Sequence, residues 1–429
     1  MQKWMHRIKE KEMITFTIFS LIFLLIIALS TGTFAEIASG MRLIVVSRDA
    51  LITDYFELAG FSAAFFNATI VFGMGILLVV KQKIPFTGLT IAALFINAGY
   101  ALWGKNPVNT LPILLGTILY ARFHKVRVKR YIYTALFGTC LAPLITELVY
   151  IFPYPKTVNF FIAIAVGIFV GFVLPPLSMH TASMHMGYNL FNVGFSGGIL
   201  AFAIVSVLRA FGMESDSVLI WSREYQWTIA IGLYVYFLIT IMFGFLVEGG
   251  RIKGLKKILS HPGRAVTDFV VMEGPGVTLM NMGIIGMVCV TYILFVGGEF
   301  SGPVVGSIWS AFGFAAFGVH IKNYLPPLFG VYLSTFTTVF VPDTPGIQLA
   351  AIFAVGLAPI AGQFGAFVGV LAGFLHAAIA MCTSDLYGGL NLYNNGFSSG
   401  WVAVVLVPVV EGFISRRGGA SESRRKKSS

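Results

Sequence analysis

The chain is a succession of apolar runs of roughly 20 residues parted by short polar connectors. Runs fall near 14–35, 58–80, 85–103, 108–121, 131–151, 159–178 and 194–211. A polar stretch, GMESDSVLIWSREYQ, follows, and a second series falls near 227–247, 275–297, 302–319, 324–341, 347–361, 364–382 and 396–413. A soluble core could not hide so many such runs, and within lipid every backbone N–H and C=O must bond inside its own segment, so each run predicts a helix. The pattern therefore predicts an all-α polytopic membrane protein. A rival reading makes the first run a cleaved secretory signal with TGTFA as its cleavage site. Its length and its counterpart in mid-chain argue for a retained helix.

The two series of seven runs also repeat each other in residues. At an offset of 214, Thr53, Asp54, Gly60, Asn67, Gly88, Asn109 and Pro112 meet Thr267, Asp268, Gly274, Asn281, Gly302, Asn323 and Pro326. LAPL at 141–144 meets LAPI at 357–360, and MHTASMHMGYNLFNVGFSGG (179–198) meets MCTSDLYGGLNLYNNGFSSG (381–400) at an offset of 202. Self-similarity of this kind means two structural copies. Seven is odd, so if every run crosses, the copies enter the membrane from opposite sides, which predicts two inverted repeats.

Charge tests that expectation independently. With the N-terminus inside, 23 of the 29 Lys and Arg residues fall on segments assigned to the cytoplasm. The loop RFHKVRVKR at 122–130 has as its counterpart FTTVFVPDTPG, which holds no basic residue. The expected organisation is a first membrane repeat at 1–212, an external linker at 213–226, an inverted second repeat at 227–414 and a basic cytoplasmic tail at 415–429. It has fourteen crossings, both termini cytoplasmic, and interrupted or short helices near the midplane.

Composition agrees, with 57% hydrophobic residues, 11% charged residues and a mean hydropathy of +0.85. The net charge of +11 is a topology signal, because the basic residues are spread over loops instead of forming one folded basic face, which argues against nucleic-acid binding. Cys140, Cys289 and Cys382 lie in apolar segments and predict neither disulfides nor a thiolate metal cluster. No dinucleotide, P-loop or metalloprotease pattern is present, so no catalytic residue, metal or cofactor is expected and the chain is not read as an enzyme.

Candidate chemistry concentrates in the repeated glycine and asparagine motif. Its Asn189, Asn192, Ser196 and Phe191, with Asn391, Asn394, Ser398 and Tyr393 in the second copy, are the candidate solute-binding residues. Glycine lets backbone leave a helix, and each Asn offers a donor pair and an acceptor that can replace the hydration of a small polar solute. Helix packing is the structural alternative, since Gly permits close crossing and Asn can bond a neighbouring helix. A second interruption, GKNPVNTLPILLG at 104–116 and its counterpart GVHIKNYLPPLFG, predicts the capped start of a short helix in each half. Ionisable residues at membrane depth are costly and mark Glu147, Asp385, His180 and His185 as candidates for proton coupling, with His376 near them. Glu147 and Gln363 each follow their LAP segment by equal spacing and are expected at equivalent depth.

GYNLFNVGFSGG and GLNLYNNGFSSG, with LPPLS at Leu174 to Ser178, resemble the Gly-Tyr-Asn segment and the Leu-Pro-x-x-Thr signature of the urea transporter family. The first half has Ser in place of the Thr, and the second half reads HAAIA there. Taken whole, the chain resembles an uncharacterised bacterial family of multi-pass membrane proteins. The distant resemblance implies an inverted-repeat fold with a narrow central pore. The leading expectation is a plasma-membrane channel or facilitator for a small polar, urea- or amide-like solute. A proton-coupled secondary transporter and an intramembrane enzyme or assembly scaffold are the alternatives. The expected partners are the solute and the lipid bilayer, with a homo-oligomer permitted.

Overall fold

The computed structural model describes residues 2–49, 52–215, 218–224, 226–392 and 394–426. The chain is an all-α polytopic membrane protein, and among the described residues the only β-type pairings are the isolated bridges Thr53 to Ile220 and Asp54 to Trp103. The first half comprises α1 (Gln2–Ser30), α2 (Phe34–Val46), α3 (Tyr55–Ala59), α4 (Phe61–Lys81), α5 (Gly88–Tyr100), α6 (Pro107–Phe123), α7 (Ile132–Gly138), α8 (Ala142–Ile151), α9 (Lys156–Met184) and α10 (Asn192–Ala210). The second half follows the same order with α11 (Gln226–Val247), α12 (Lys253–Ile258), α13 (Phe269–Met272), α14 (Pro275–Phe295), α15 (Gly302–Phe314), α16 (Ile321–Ser334), α17 (Pro345–Phe353), α18 (Ala358–Phe364), α19 (Ala366–Tyr387) and α20 (Asn394–Lys426).

The seven apolar segments per half become helices, but not all of them are long enough to cross. Ten helical stretches among the described residues have the length and composition to span a membrane, where the sequence led to an expectation of fourteen. The difference lies in α5, α6, α15 and α16, of 13, 17, 13 and 14 residues. At 1.5 Å per residue a 13-residue helix reaches about 20 Å, short of a hydrocarbon core of about 30 Å. The run over 131–151 is also divided, since a 3₁₀ turn at Thr139–Leu141 separates α7 from α8, as one at Ala354–Leu357 separates α17 from α18.

Local chemistry sets these breaks. Asn106 Oδ1 accepts from the backbone N–H groups of Val108 (2.9 Å) and Asn109 (3.0 Å), and Asn109 Oδ1 accepts from that of Asn106 (2.9 Å). His320 and Asn323 make the same reciprocal cap on α16. These pairs satisfy helix-end donors that lipid could not. The entry to α4 and α14 turns on Gly60 (φ 86°) and Gly274 (φ 101°), a conformation that costs a residue with a Cβ about 1 to 2 kcal/mol.

Where the halves meet, equivalent helices touch one another. Helices α5 and α15 pack together, and a Cβ on Gly99 would lie 2.2 Å from Gly306 O, as one on Gly306 would from Gly99 O. In the α10 to α20 contact, Phe195 fills the space over Gly400 and Phe397 fills that over Gly198. Asp54 accepts from Gly302 N (3.0 Å) at the start of α15, while Asp268 accepts from Gly88 N (2.9 Å) and Leu89 N (3.2 Å) at the start of α5. Each carboxylate thus caps the positive end of a helix in the other half. In lipid such close packing and hydrogen bonding, rather than apolar burial, hold helices together.

Candidate functional site

The breaks of both halves converge, and buried asparagines hold them open. Asn67 Nδ2 donates to Ala101 O (2.6 Å) and Lys105 O (2.8 Å), carbonyls released where α5 ends. Asn281 Nδ2 donates to Ala315 O and Val319 O, both at 2.8 Å, at the end of α15. Asn109 and Asn323 take the next carbonyl in each half, Gly104 O (3.2 Å) and Gly318 O (2.9 Å). An unpaired backbone carbonyl at membrane depth costs several kcal/mol, so these side chains make the interruptions tolerable. Each glycine-asparagine motif then crosses to the other half. Leu190 N donates to Gly356 O (3.1 Å) and Leu392 N to Cys140 O (3.2 Å), which binds each loop to the opposite 3₁₀ turn.

Asn189 is buried at this junction. Its Oδ1 accepts from Phe191 N (2.9 Å) and from Ser399 Oγ (3.0 Å) of the second motif, and its Nδ2 lies 3.5 Å from Gly396 O. Asn192, the first residue of α10, donates to Ser178 O (2.9 Å) and accepts from Thr181 Oγ1 (2.9 Å), with His185 Nε2 at 2.9 Å from the same oxygen. Ser196 pairs with Thr181 Oγ1 at 2.7 Å and donates to Asn192 O. Asn192 and Ser196 therefore brace the end of α9 against α10, while Asn189 joins the two copies.

A cavity of about 530 Å³ opens onto the first motif. His185, Asn189, Phe191 and Asn192 form part of its wall, Tyr133 and Phe317 supply apolar surface, and Arg264 stands at its side. Arg264 is held there by its Nε bond to Met186 O (2.7 Å) and by the Tyr188 ring 4.5 Å away. Asn391 and Asn394 are buried and do not line this cavity. Tyr387, Gly388 and Leu390 of the second motif border a small void of about 10 Å³ together with the connector residues Met213, Glu214 and Ser215. Ser215 also donates to Glu147 Oε2 (2.9 Å), which Arg48 holds through Nη2 (2.8 Å) and Nε (3.1 Å). Beside this ion pair Asp49 accepts from Tyr55 (2.8 Å), Thr146 (2.9 Å) and Asn109 (3.2 Å).

The remaining candidates divide. His180 is exposed at the end of α9, outside the cavity wall, whereas His185 is buried within it. Glu147 is fully buried and ion-paired, whereas Gln363, expected at equivalent depth, is exposed on α18. Tyr393 and the side chain of Asp385 lie outside the described residues. Ser398 is buried against His376, with Oγ 2.6 Å from Nδ1 and 2.9 Å from the His376 carbonyl it donates to. Sequence reasoning missed Arg48, Asp49 and Lys105. Lys105 sits in the capped stretch already singled out, where a lone cation between two apolar runs reads as an exposed loop.

Neither a curated protein nor a solved structure matches the chain. A family model does match residues 33–210 and 247–412, which take in both motifs, both sets of breaks and the cavity wall. The chain therefore belongs to the family described as a protein of unknown function, DUF1576.

Proposed function

We propose that the protein is a facilitator that moves a small polar solute across the bacterial plasma membrane by alternating access. The observation that carries this reading is the cavity of about 530 Å³ whose wall includes Asn189 and Asn192. Transporters hold their solutes where repeats meet at discontinuous helices. The amides there can exchange hydrogen bonds with a solute that has shed its water. Alternating access in such transporters works by one repeat moving against the other around a fixed site.

The same reading assigns topology. Taken as hairpins that enter and leave on one side, α5 with α6 and α15 with α16 leave five crossings in each half. Five is odd, so the repeats at 1–212 and 227–414 are inverted, both termini are cytoplasmic, and the connector at 213–226 lies on the outer side. The basic segments 81–83, 122–130 and 251–264 and the tail stay inside, so the cavity opens inward beside Arg264. A proton-coupled transporter is the second reading, favoured by the bond of His185 to Asn192 in the cavity wall. We assign no hydrolytic role to Ser398 and His376, because neither lines the cavity.

Purified protein in liposomes tests this with a panel of amides, amines, polyols and short carboxylates. Saturable flux of at least one solute, above that of empty liposomes and indifferent to a pH gradient, is the expected result. Dependence on the gradient moves the assignment to the second reading, and no flux of any solute sinks both. Reporters fused after Lys125 and after Asp343 should report inside and outside; agreement between them removes the inversion.

A further inference from the structure

The two halves build the same break at the end of α5 and of α15, but with different chemistry. In the first half Lys105 is fully buried, and its Nζ donates to Asn97 Oδ1 at 2.9 Å, an oxygen that also accepts from Thr139 Oγ1 (3.0 Å). The Tyr100 ring lies 5.6 Å from the ammonium. The equivalent positions of Lys105, Asn97 and Thr139 in the second half are Val319, Ala311 and Val355, all apolar. The second half makes its break through Asn281, as the first does through Asn67, without any of the three polar groups. The fold therefore does not need them, and three substitutions that share one cluster point to a task beyond architecture.

Lys105 also lacks a counter-ion. Among the described residues no carboxylate pairs with it, and Asp49, the nearby buried acid, is satisfied by Tyr55, Thr146 and Asn109. An ammonium carries three donors, of which Asn97 accepts one and the Tyr100 face can receive another. The site is nonetheless shaped for positive charge. Asn97 and Tyr100 belong to the last turn of α5, where the helix end is negative.

Its position relates it to the cavity. Phe191, part of the cavity wall, packs on Phe353 with ring centroids 5.8 Å apart, and Phe353 stacks on Tyr100 at the same separation. One aromatic ring, Phe353, thus separates Phe191 of the cavity wall from the ring beside Lys105. On the other side the Lys105 backbone adjoins Gly104, whose carbonyl Asn109 ties to the Asp49 and Thr146 network. Lys105 stands between an open cavity and a closed polar network.

We propose that Lys105 is the charge-selecting element of the pathway and that the solute is a small monovalent anion whose acceptor atoms take the free ammonium donors once the aromatic layer moves. An uncompensated buried cation is costly in hydrocarbon, and the same cost attracts an anion of matching charge. The inference rests on the solute-facilitator reading and specifies its solute.

Liposome flux with formate, acetate, nitrate and chloride, set against urea and glycerol, separates the two. Wild-type protein should pass at least one of the anions, Lys105→Met should lose that flux by about tenfold or more, the equivalent of about 1.4 kcal/mol, and Lys105→Arg should retain part of it. Flux of neutral solutes alone, or wild-type anion flux in Lys105→Met, overturns this inference and leaves the facilitator reading standing. No flux of any solute removes the facilitator reading itself. Because Lys105→Met could fail to assemble, thermal unfolding is measured in the same salts. A specific anion should raise the Tm of the wild type over an equal ionic strength of a large organic anion, and the rise should be absent in Lys105→Met. Equal Tm values across the salts for the wild type count against the site.

Discussion

The two copies of the glycine-asparagine motif have matching residues and different neighbours. The first copy borders a cavity of about 530 Å³, and beside the second Tyr387, Gly388 and Leu390 border a void of about 10 Å³ shared with the connector. Their backbones do equivalent work, since Leu190 and Leu392 donate to equivalent turns of the opposite half. What differs is the neighbouring chain. Arg264 stands beside the first copy on a short connector, and Met213 to Ser215, tied to the Arg48 and Glu147 pair through Ser215, lie beside the second. Symmetry in the sequence therefore accompanies the shared scaffold, and the segments between the repeated motifs supply these differing neighbours.

The largest expected effect bears on the residue that joins the copies. Asn189→Leu keeps approximate volume but removes the acceptor for Ser399 and Phe191 N, so flux should fall at least tenfold while the protein still reaches the membrane, as solute uptake and membrane yield would register. Undiminished flux would return the motif to a packing role. Next comes access. In a background without the native cysteines, His185→Cys should react with a small polar maleimide at least about tenfold faster than its twin Tyr387→Cys, since only the first faces the cavity. Equal labelling would erase the contrast between the copies.

Breaking the ion pair should have a smaller effect. Glu147→Ala removes the carboxylate that Arg48 and Ser215 hold, and the Arg48 side chain is 40% exposed against 0% for the carboxylate, so screening reduces the loss of stability to about 1 to 2 kcal/mol. It should also speed labelling of Tyr387→Cys. Unchanged Tm and labelling would mean that the ion pair does not hold the connector. The smallest change is expected for Arg264→Ala, which removes a cation from the Tyr188 face worth about 0.5 to 1 kcal/mol at an exposed site. A shift of the flux profile by about twofold is expected, and a complete loss of flux would give Arg264 a place in solute binding instead.

Much of this architecture was legible from residues alone because lipid allows few alternatives. Runs such as 58–80 and 275–297 had to be helices, and they are α4 and α14. The capped stretches beginning at Gly104 and Gly318 were readable because Asn before an apolar run has one economical use, the satisfaction of helix-end donors. The number of spans was not readable. Hydropathy registers an apolar run of 85–103 whether it crosses or stops at Tyr100, and only the bonds from Asn67 to Ala101 O and Lys105 O end α5 there.

The sequence by itself determined that the chain is a helical membrane protein in two related halves, since apolar length, charge placement and constant offsets are properties of order along the chain. The tertiary structure alone decided which polar groups meet. Asn189 and Ser399 are 210 residues apart, Arg48 and Glu147 are 99 apart, and Asp54 reaches Gly302 across 248 residues. The cavity beside the first motif arises in the same way, since Tyr133, Arg264 and Phe317 reach it from distant parts of the chain. Burial depends on what packs against a residue in space, and order along the chain does not set that neighbour.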